Sequence, residues 1–401
     1  MSLTILSLDE LELSDKRILM RVDFNVPISS DGAVEDDFRI RSALPSIEKV
    51  MEDSGSLILM SHLGRPGGKP VPELSLKPVA DSLSKMLGSE VKFVPDCVGS
   101  EALSASVSLK PGEVLLLENL RFHPGETDND SDFAQSLALN GDLFVNDAFG
   151  TAHRAHASTV GVPEFLQPVA AGYLMQNEVK HLVELMRKPE RPMAVILGGA
   201  KVSEKIPVIE NFSSLADKFL IGGGMAYTFL KAKGLPIGKS LHDDSMLEKC
   251  KTIMSRLKEN GIDFYLPSDC VAVKNIESME VGDVCFIDEL DDDQIGVDIG
   301  PMTVAEFDHV LDGVKTVVWN GPMGIFEVPH WSNGTVSIGK KLADLTKSGA
   351  TTIVGGGDSA SALNQLGLSD GVTHISTGGG ASLELLSGKS LPGLEALSRE
   401  M

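Results

Sequence analysis

Short, nearly continuous apolar runs alternate along the chain with stretches whose apolar positions recur at helical spacing. The runs include "RILMRVDF", "SLILMSH", "EVLLLENL", "DLFVNDAF", "MAVILGG", "KFLIGGG", "DFYLPS", "TVVWNGP" and "TTIVGGG". They lack in–out alternation, which is how a strand buried on both faces reads. Segments between them, such as "LKPVADSLSKMLG" and "DFAQSLALNG", carry the helical pattern. Repeated β-α units predict an α/β fold of parallel sheets covered by helices. In such sheets ligands bind beyond the carboxyl ends of the strands. The polar residues that follow each run are therefore the candidates for chemistry.

At 401 residues the chain exceeds one ordinary core, so two domains are expected. A boundary is expected near residues 170–190. There "YLMQNEVKHLVELMRKPERP" puts Met175, Val179, Leu182, Val183 and Met186 on one helical face, and Pro189 ends the pattern. This reads either as a rigid helix joining two lobes or as a covering helix. The acidic run Asp288 to Gln294 reads as a solvated loop.

A formal charge of −22 argues against nucleic acid as a partner. It leaves room for a small phosphorylated ligand held in a local positive pocket. No apolar run reaches the ~18 residues of a membrane span. The N-terminal residues lack the pattern of a signal peptide. The cysteines Cys97, Cys250, Cys270 and Cys285 form no C-x-x-C pair and suggest neither a disulfide framework nor a zinc site. A cytoplasmic location fits these features.

In the first half, cations recur after the apolar runs. Arg21, Asp23 and Asn25 follow the first. His62 and Arg65 follow the second. Arg121 and His123 come next, then Asp147, His153, Arg154 and His156, while Arg39 and Arg41 stand at an expected helix start. Each arginine alone reads equally as a surface charge. Gathered at strand exits, their planar donor forks suit a small, multiply anionic ligand. His62 and His153 read as bases or, more commonly, as hydrogen-bonding groups.

The second half offers glycine turns and lysines. Lys201 and Lys205, four apart after "AVILGGA", are expected to share a helix face and an anion, or to be a solvated face. Three GGG turns, at 222–224, 355–357 and 378–380, each separate an apolar run from a helical pattern. They let backbone N–H groups approach a phosphate, or serve as tight, closely packed turns. Asp358 suits a hard cation or a helix cap; Ser359 suits a cap or a phosphate; Glu327 suits ribose hydroxyls or solvent. The P-loop pattern is absent. Gly355, Gly357 and Ala360 fit a dinucleotide fingerprint, but the acidic ribose ligand expected about 20 residues on is missing. A nicotinamide-dependent dehydrogenase and a non-catalytic anion-binding protein remain the competing classes.

Taken together, "RVDFNVP", "DDFRIRSALPSI", "SHLGRPGG", "LLENLRFHPGE", "FVNDAFGTAHRAHAS", "LGGAKVSEKI", "IGGGMAYTFLK", "IGVDIGP", "VVWNGPMGIFE", "GGGDSASAL" and "STGGGASLELLSGK" resemble phosphoglycerate kinases over essentially the whole chain. The resemblance implies two Rossmann-like lobes joined by a long helix. It implies a phosphoglycerate-binding domain over 1–170 with the tail 386–401 returning to it, a joining helix over 171–188, and a nucleotide-binding domain over 189–385. It also implies reversible phosphoryl transfer between 1,3-bisphosphoglycerate and ADP, with Mg²⁺, in a monomer whose lobes close on a hinge near 170–190 and 385–392. Carried onto matching positions, the phosphoglycerate site would be Arg21, Asp23, Asn25, Arg39, His62, Arg65, Arg121 and Arg154. The nucleotide site would be Lys205, Gly222, Gly223, Gly296, Glu327, Gly356, Gly357, Asp358 and Ser359, with Asp358 the Mg²⁺ ligand. Arg39, Lys201 and the Gly378–Gly380 turn, centred on Gly379, would surround the transferred phosphoryl group. Ser359 stands where the family often has Thr, keeping a hydroxyl. Met302 stands where Lys or another polar residue is common, which affects a peripheral nucleotide contact.

Overall fold

The computed structural model describes residues 5–30 and 32–398. The last three residues of the tail expected over 386–401 lie outside the described residues. Two compact units emerge. One comprises the described residues up to Lys180 together with those from Ser390 onward; the other is His181–Lys389.

The first unit holds β1 (Arg17–Val22), β2 (Ser56–Met60), β3 (Val91–Val94), β4 (Val114–Leu117), β5 (Leu143–Asp147) and β6 (Val169–Ala171), in the order β3-β4-β2-β1-β5-β6. All pairings are parallel, and β1 is central, with Arg21 in register with Met60 of β2 and Asn146 of β5. Strands β2, β4 and β5 are buried along their whole length, as their unbroken apolar sequences predict. The helices Phe38–Glu52 and Lys77–Leu87 cover one core with Ile40, Ile47, Val79 and Leu83. Within this unit the last segment returns to the sheet region: Gly393 N–H donates to Ala152 O at 2.8 Å, and Ser398 bridges Ile5.

The second unit contains β7 (Met193–Leu197), β8 (Lys218–Ile221), β9 (Asp263–Tyr265), β10 (Asp269–Val273), β11 (Asp283–Phe286), β12 (Ile295–Ile299), β13 (Thr316–Asn320), β14 (Thr351–Gly355) and β15 (His374–Ile375). A parallel sheet runs β15-β14-β13-β7-β8-β9. A separate antiparallel sheet, β11-β10-β12, was not foreseen from the apolar runs. Its strands offer apolar stretches of only four residues, Cys270–Val273 and Val284–Ile287, while Gly296 and Asp298 interrupt β12, and β11 is mostly exposed.

The helix Tyr173–Arg187 spans the division between the units. Its buried positions are Met175, Glu178, Leu182 and Leu185. Val179, Val183 and Met186, expected on that face, are half-buried. The buried stripe is thus rotated relative to the apolar pattern and includes a carboxylate. Met175 N–H donates to the buried Asp147 carboxylate at 3.1 Å, which anchors the start of the helix to the end of β5.

Candidate active site

In the first unit the expected cations do gather at strand exits, but not all in one layer. Arg65, Arg121 and Arg154 line a cavity of about 540 Å³ with Gly67, Gly68, Pro124 and Thr127. Arg121 is placed by a short helical turn, Leu120–Phe122, whose Asn119 side chain accepts from the Arg121 N–H at 3.1 Å. Its Nη1 donates to Gly64 O at 2.7 Å, while its buried Nε has no hydrogen-bond partner among the described residues. Burial, then Arg21 and Arg154, pushes the Arg121 guanidinium down to about 10. A buried donor without an acceptor, beside two more guanidiniums, is a place short of negative charge.

Arg39 lies in the first turn of the helix Phe38–Glu52 and pairs with Asp23 Oδ2 at 2.9 Å and with Asn25 O at 3.4 Å. Both bonds use Nη1, so its other nitrogens remain for an anion. The Asn25 side chain accepts from Gly64 N–H at 2.9 Å, tying the β1 exit to the β2 exit. The exposed Arg41 turns away to Asp37.

Arg21 departs from its expected place. It has no exposed surface: its guanidinium donates to Val22 O, to Ser158 Oγ at 2.9 Å and toward His62 Nδ1 at 3.1 Å. It is not part of the cavity lining. Ser158 in turn bonds the buried Glu126 through Oγ at 2.7 Å and N–H at 3.0 Å. Burial raises the Glu126 carboxyl, but His156, Arg21 and Ser158 outweigh that and hold it below the ordinary carboxylate range. His156 is part of this buried network, 3.6 Å from Glu126. Burial, then Arg21, Arg121 and Arg39, pushes His62 well below the usual imidazole range. His153 meets Arg154 Nε at 3.1 Å through its Nε2. Asp147 is fully buried and serves the helix start described above.

In the second unit a cavity of about 510 Å³ opens between the exits of the parallel sheet and the small antiparallel sheet. It brings together Gly223, Gly296, Glu327 and Asp358 of the expected set. Lys205, Gly222, Gly356, Gly357 and Ser359 lie outside its lining. The Lys205 ammonium donates to the Asn320 side-chain oxygen at the end of β13. Burial pushes it down to about 8, against the pull of Glu204 and Asp358.

The expected shared face of Lys201 and Lys205 is corrected. The helix Val202–Phe212 starts one residue after Lys201, whose backbone is extended. The Lys201 side chain is 72% exposed and pairs with Glu204 at 3.2 Å, while Lys205 is held inward.

The glycine turns also divide. Gly222 and Gly223 N–H groups donate to Leu197 O and Met323 O, at 2.8 and 2.9 Å. A Cβ on Gly222 would stand 2.5 Å from Met323 Sδ, so close packing explains this turn. At Gly296 a Cβ would overlap the Tyr227 hydroxyl. The second turn differs. Gly356 has φ +94°, and the helix Gly357–Gln365 begins there without a side-chain cap. Gly357 needs no unusual φ, and a Cβ added there would meet nothing within 4 Å, so neither packing nor backbone geometry demands glycine. Its first-turn N–H groups suit an anion. Ser359 neither caps the helix nor stands exposed: its Oγ accepts from Gly321 N–H at 2.8 Å, leaving its proton for another acceptor. Gly379, at φ +49°, opens the helix Gly380–Leu386, also without a side-chain cap. The buried Asn320 amide nitrogen has no partner among the described residues.

Sequence reasoning missed the apolar lining, Leu241, Pro267, Val297 and Met323, because such residues carry no pattern distinct from core. It also missed Asp298, which lines the cavity and accepts from Gly334 and Ile299 N–H at 2.8 and 2.9 Å. Burial pushes Asp298 up to about 7.

A family model described as phosphoglycerate kinase matches residues 8–389. A phosphoglycerate kinase of Chloroherpeton thalassium is 53% identical over 392 residues, covering 98% of each chain. One from Microcystis aeruginosa is 50% identical over 395 residues, covering 98% of each. Among solved structures, phosphoglycerate kinase from Coxiella burnetii superposes with a TM-score of 0.87 at 40% identity, covering 98% of this chain and 99% of the other. That from Pyrococcus horikoshii gives 0.82 at 31% identity, covering 98% of each. With a family match over residues 8–389 and relatives at half identity, the chain belongs to the phosphoglycerate kinase family.

Proposed function

We propose that the chain transfers the acyl phosphate of 1,3-bisphosphoglycerate to ADP, reversibly, giving 3-phosphoglycerate and ATP, with the phosphoglycerate held by the first unit and the nucleotide by the second. The observation that carries the substrate assignment is the partnerless Arg121 Nε in a cavity shared with Arg65 and Arg154. Asp23 and Asn25 suit the glycerate hydroxyl and carboxyl groups, and Asp23 orients Arg39. His62 faces the guanidinium of Arg21 and acts as a neutral hydrogen-bond donor.

The reacting groups are a carboxylate and a phosphate, both already anionic, so no base is required. The transition state needs alignment and positive charge around the transferred oxygens. Arg39 supplies charge on the phosphoglycerate side. Lys201, Lys205 and the N–H groups near Gly357 and Gly379 supply it on the nucleotide side. Glu327 takes the ribose hydroxyls, and the ring sits on the apolar wall near Gly223 and Gly296.

The exposed Asp358 carboxylate, at an uncapped helix start beside the cavity, is an oxygen donor suited to Mg²⁺. When bound there, the ion would neutralise phosphate charge. Among the described residues no helix is long and apolar enough to cross a membrane. The reading takes the chain as a cytoplasmic monomer acting on small molecules, and gel filtration checks the monomer. The decisive experiment supplies 1,3-bisphosphoglycerate and ADP and follows ATP by luciferase; absence of ATP above the no-protein control overturns the reading.

A further inference from the structure

Cys270 and Cys285 stand directly opposite each other on the antiparallel strands β10 and β11. Their sulfurs are 3.7 Å apart. The strand β11 is the edge of its sheet, and Cys285 is partly exposed, whereas Cys97, Cys250 and Cys270 are buried. On its inner side Cys270 packs with Tyr227 in one buried cluster. Tyr227 lines the cavity of the second unit, and its hydroxyl lies against Gly296. A line of contact thus runs from a reachable sulfur, through a buried one, to the cavity wall.

We propose that Cys270 and Cys285 form a reversible disulfide with low-molecular-weight disulfides as oxidant, and that closing it weakens nucleotide binding through Tyr227. The second half of this inference rests on the nucleotide reading of the cavity.

Burial raises both thiols, that of Cys270 up to about 12, and Cys285, partly exposed on the edge strand, is the sulfur an oxidant can reach and so the attacking one. After losing its proton to water, Cys285 attacks one sulfur of RSSR. That S–S bond breaks, and RS⁻ leaves and takes up a proton. The Cys270 sulfur, giving up its own proton, then attacks Cys285 Sγ of the mixed disulfide and displaces a second RSH. Two protein thiols lose two electrons, and RSSR becomes two RSH.

Opposed residues on antiparallel strands keep their Cβ atoms about 4.5–5.5 Å apart, while a relaxed disulfide wants about 3.8 Å. Closing the bond therefore pulls β11 against β10, and a bond under that tension is readily reduced. It also shifts a sulfur that packs with Tyr227.

The test incubates the full chain with oxidised glutathione, then measures intact mass, maps linked peptides and titrates ADP calorimetrically. Expected are loss of two hydrogens, a Cys270–Cys285 cross-link, ADP binding weaker by about three- to tenfold, and recovery with dithiothreitol. The Cys285→Ser variant should bind ADP like the reduced protein and should not respond to oxidant. Absence of the cross-link overturns the proposal, as does a cross-linked protein with unchanged ADP affinity. If the reduced protein itself fails to bind ADP, the nucleotide reading falls, while the mass and the cross-link still decide whether the disulfide forms.

Discussion

Arg21 Nη2 lies 3.1 Å from His62 Nδ1, with both side chains buried. A guanidinium only donates, so Nδ1 is the acceptor and the imidazole proton sits on Nε2. His62 is thus a neutral donor, and burial with three nearby arginines keeps it so. Its folded pKa is below the ordinary value of 6.5, so the unfolded chain takes the proton first. Stability should therefore fall as pH drops below about 6.5, and the His62→Gln variant should show a shallower fall. Urea unfolding at pH 7 and pH 5 checks this. In kcat/KM against pH, His62→Gln should leave the acid limb in place; a limb near 6.5 that vanishes in this variant would make His62 a base after all.

The Arg21 charge has its own buried counterweight. Glu126 reaches it through Ser158 and lies in contact with His156. Removing the carboxylate leaves a fully buried guanidinium with only Asp23 to offset it. Glu126→Ala should lose about 3–5 kcal/mol of stability, the range seen when one member of a buried charge pair is removed. Glu126→Gln, which keeps an acceptor for Ser158, should lose less. Denaturant midpoints of the two variants compare them; equal, small losses would mean that Arg21 is not paired by Glu126.

These two buried relationships also mark what the sequence could not convey. The nine apolar runs all become strands, since continuous apolar residues have few other ways to be buried on both faces. The half-buried β3, interrupted by Lys92, the three-residue β6 and β12, interrupted by Gly296 and Asp298, carry no such signature, and in β10 and β11 it is only four residues long. Arginines at strand exits were legible as a group because ligands gather there. That Arg21 faces inward depends on Ser158 and Glu126, far away in sequence. The Lys201/Lys205 spacing misled because it assumes a helix already formed at 201, whereas the helix starts at Val202.

On the proposed reading, Lys205 links nucleotide binding to pH. Its ammonium is partly buried, and desolvation pushes it down from 10.5 to about 8. Below about pH 8 it carries the charge that a phosphate needs. Above that, the free protein loses the charge and must regain a proton to bind. ADP affinity should therefore weaken as pH rises from 8 to 10, with proton uptake on binding detectable by calorimetry in buffers of different ionisation enthalpy. The sign for stability is opposite. The unfolded lysine holds its proton longer, so the cost of burying the charge is relieved between about 8 and 10.5. A Lys205→Arg variant should bind ADP with a flat pH dependence over that window; the same slope in both proteins would mean that Lys205 does not meet the phosphates.

On the proposed reading, Arg39 and Lys201 supply charge to the phosphoryl group without being needed for the fold. Arg39 is held by Asp23 through one nitrogen, and Lys201 is mostly exposed. Arg39→Ala or Lys201→Ala should each lower turnover by about 10²–10³, the scale of one strong electrostatic contact to a transition state. Thermal midpoints should change little. Near-normal turnover in both variants would refute the assignment.

Two glycines separate packing from ligand approach. A methyl on Gly296 would overlap the Tyr227 hydroxyl, so Gly296→Ala must displace a buried ring and should cost about 1–3 kcal/mol. A methyl on Gly357 meets nothing within 4 Å and requires no change of φ. Gly357→Ala should be neutral, or stabilising by about 0.4–1 kcal/mol through the unfolded chain. If the open helix start at Gly357 receives a phosphate, the same methyl crowds it, and ADP affinity should fall even as stability holds. Thermal unfolding and ADP titration of the two variants give four numbers. A Gly357→Ala protein that binds ADP as tightly as the parent would show that no phosphate approaches that backbone.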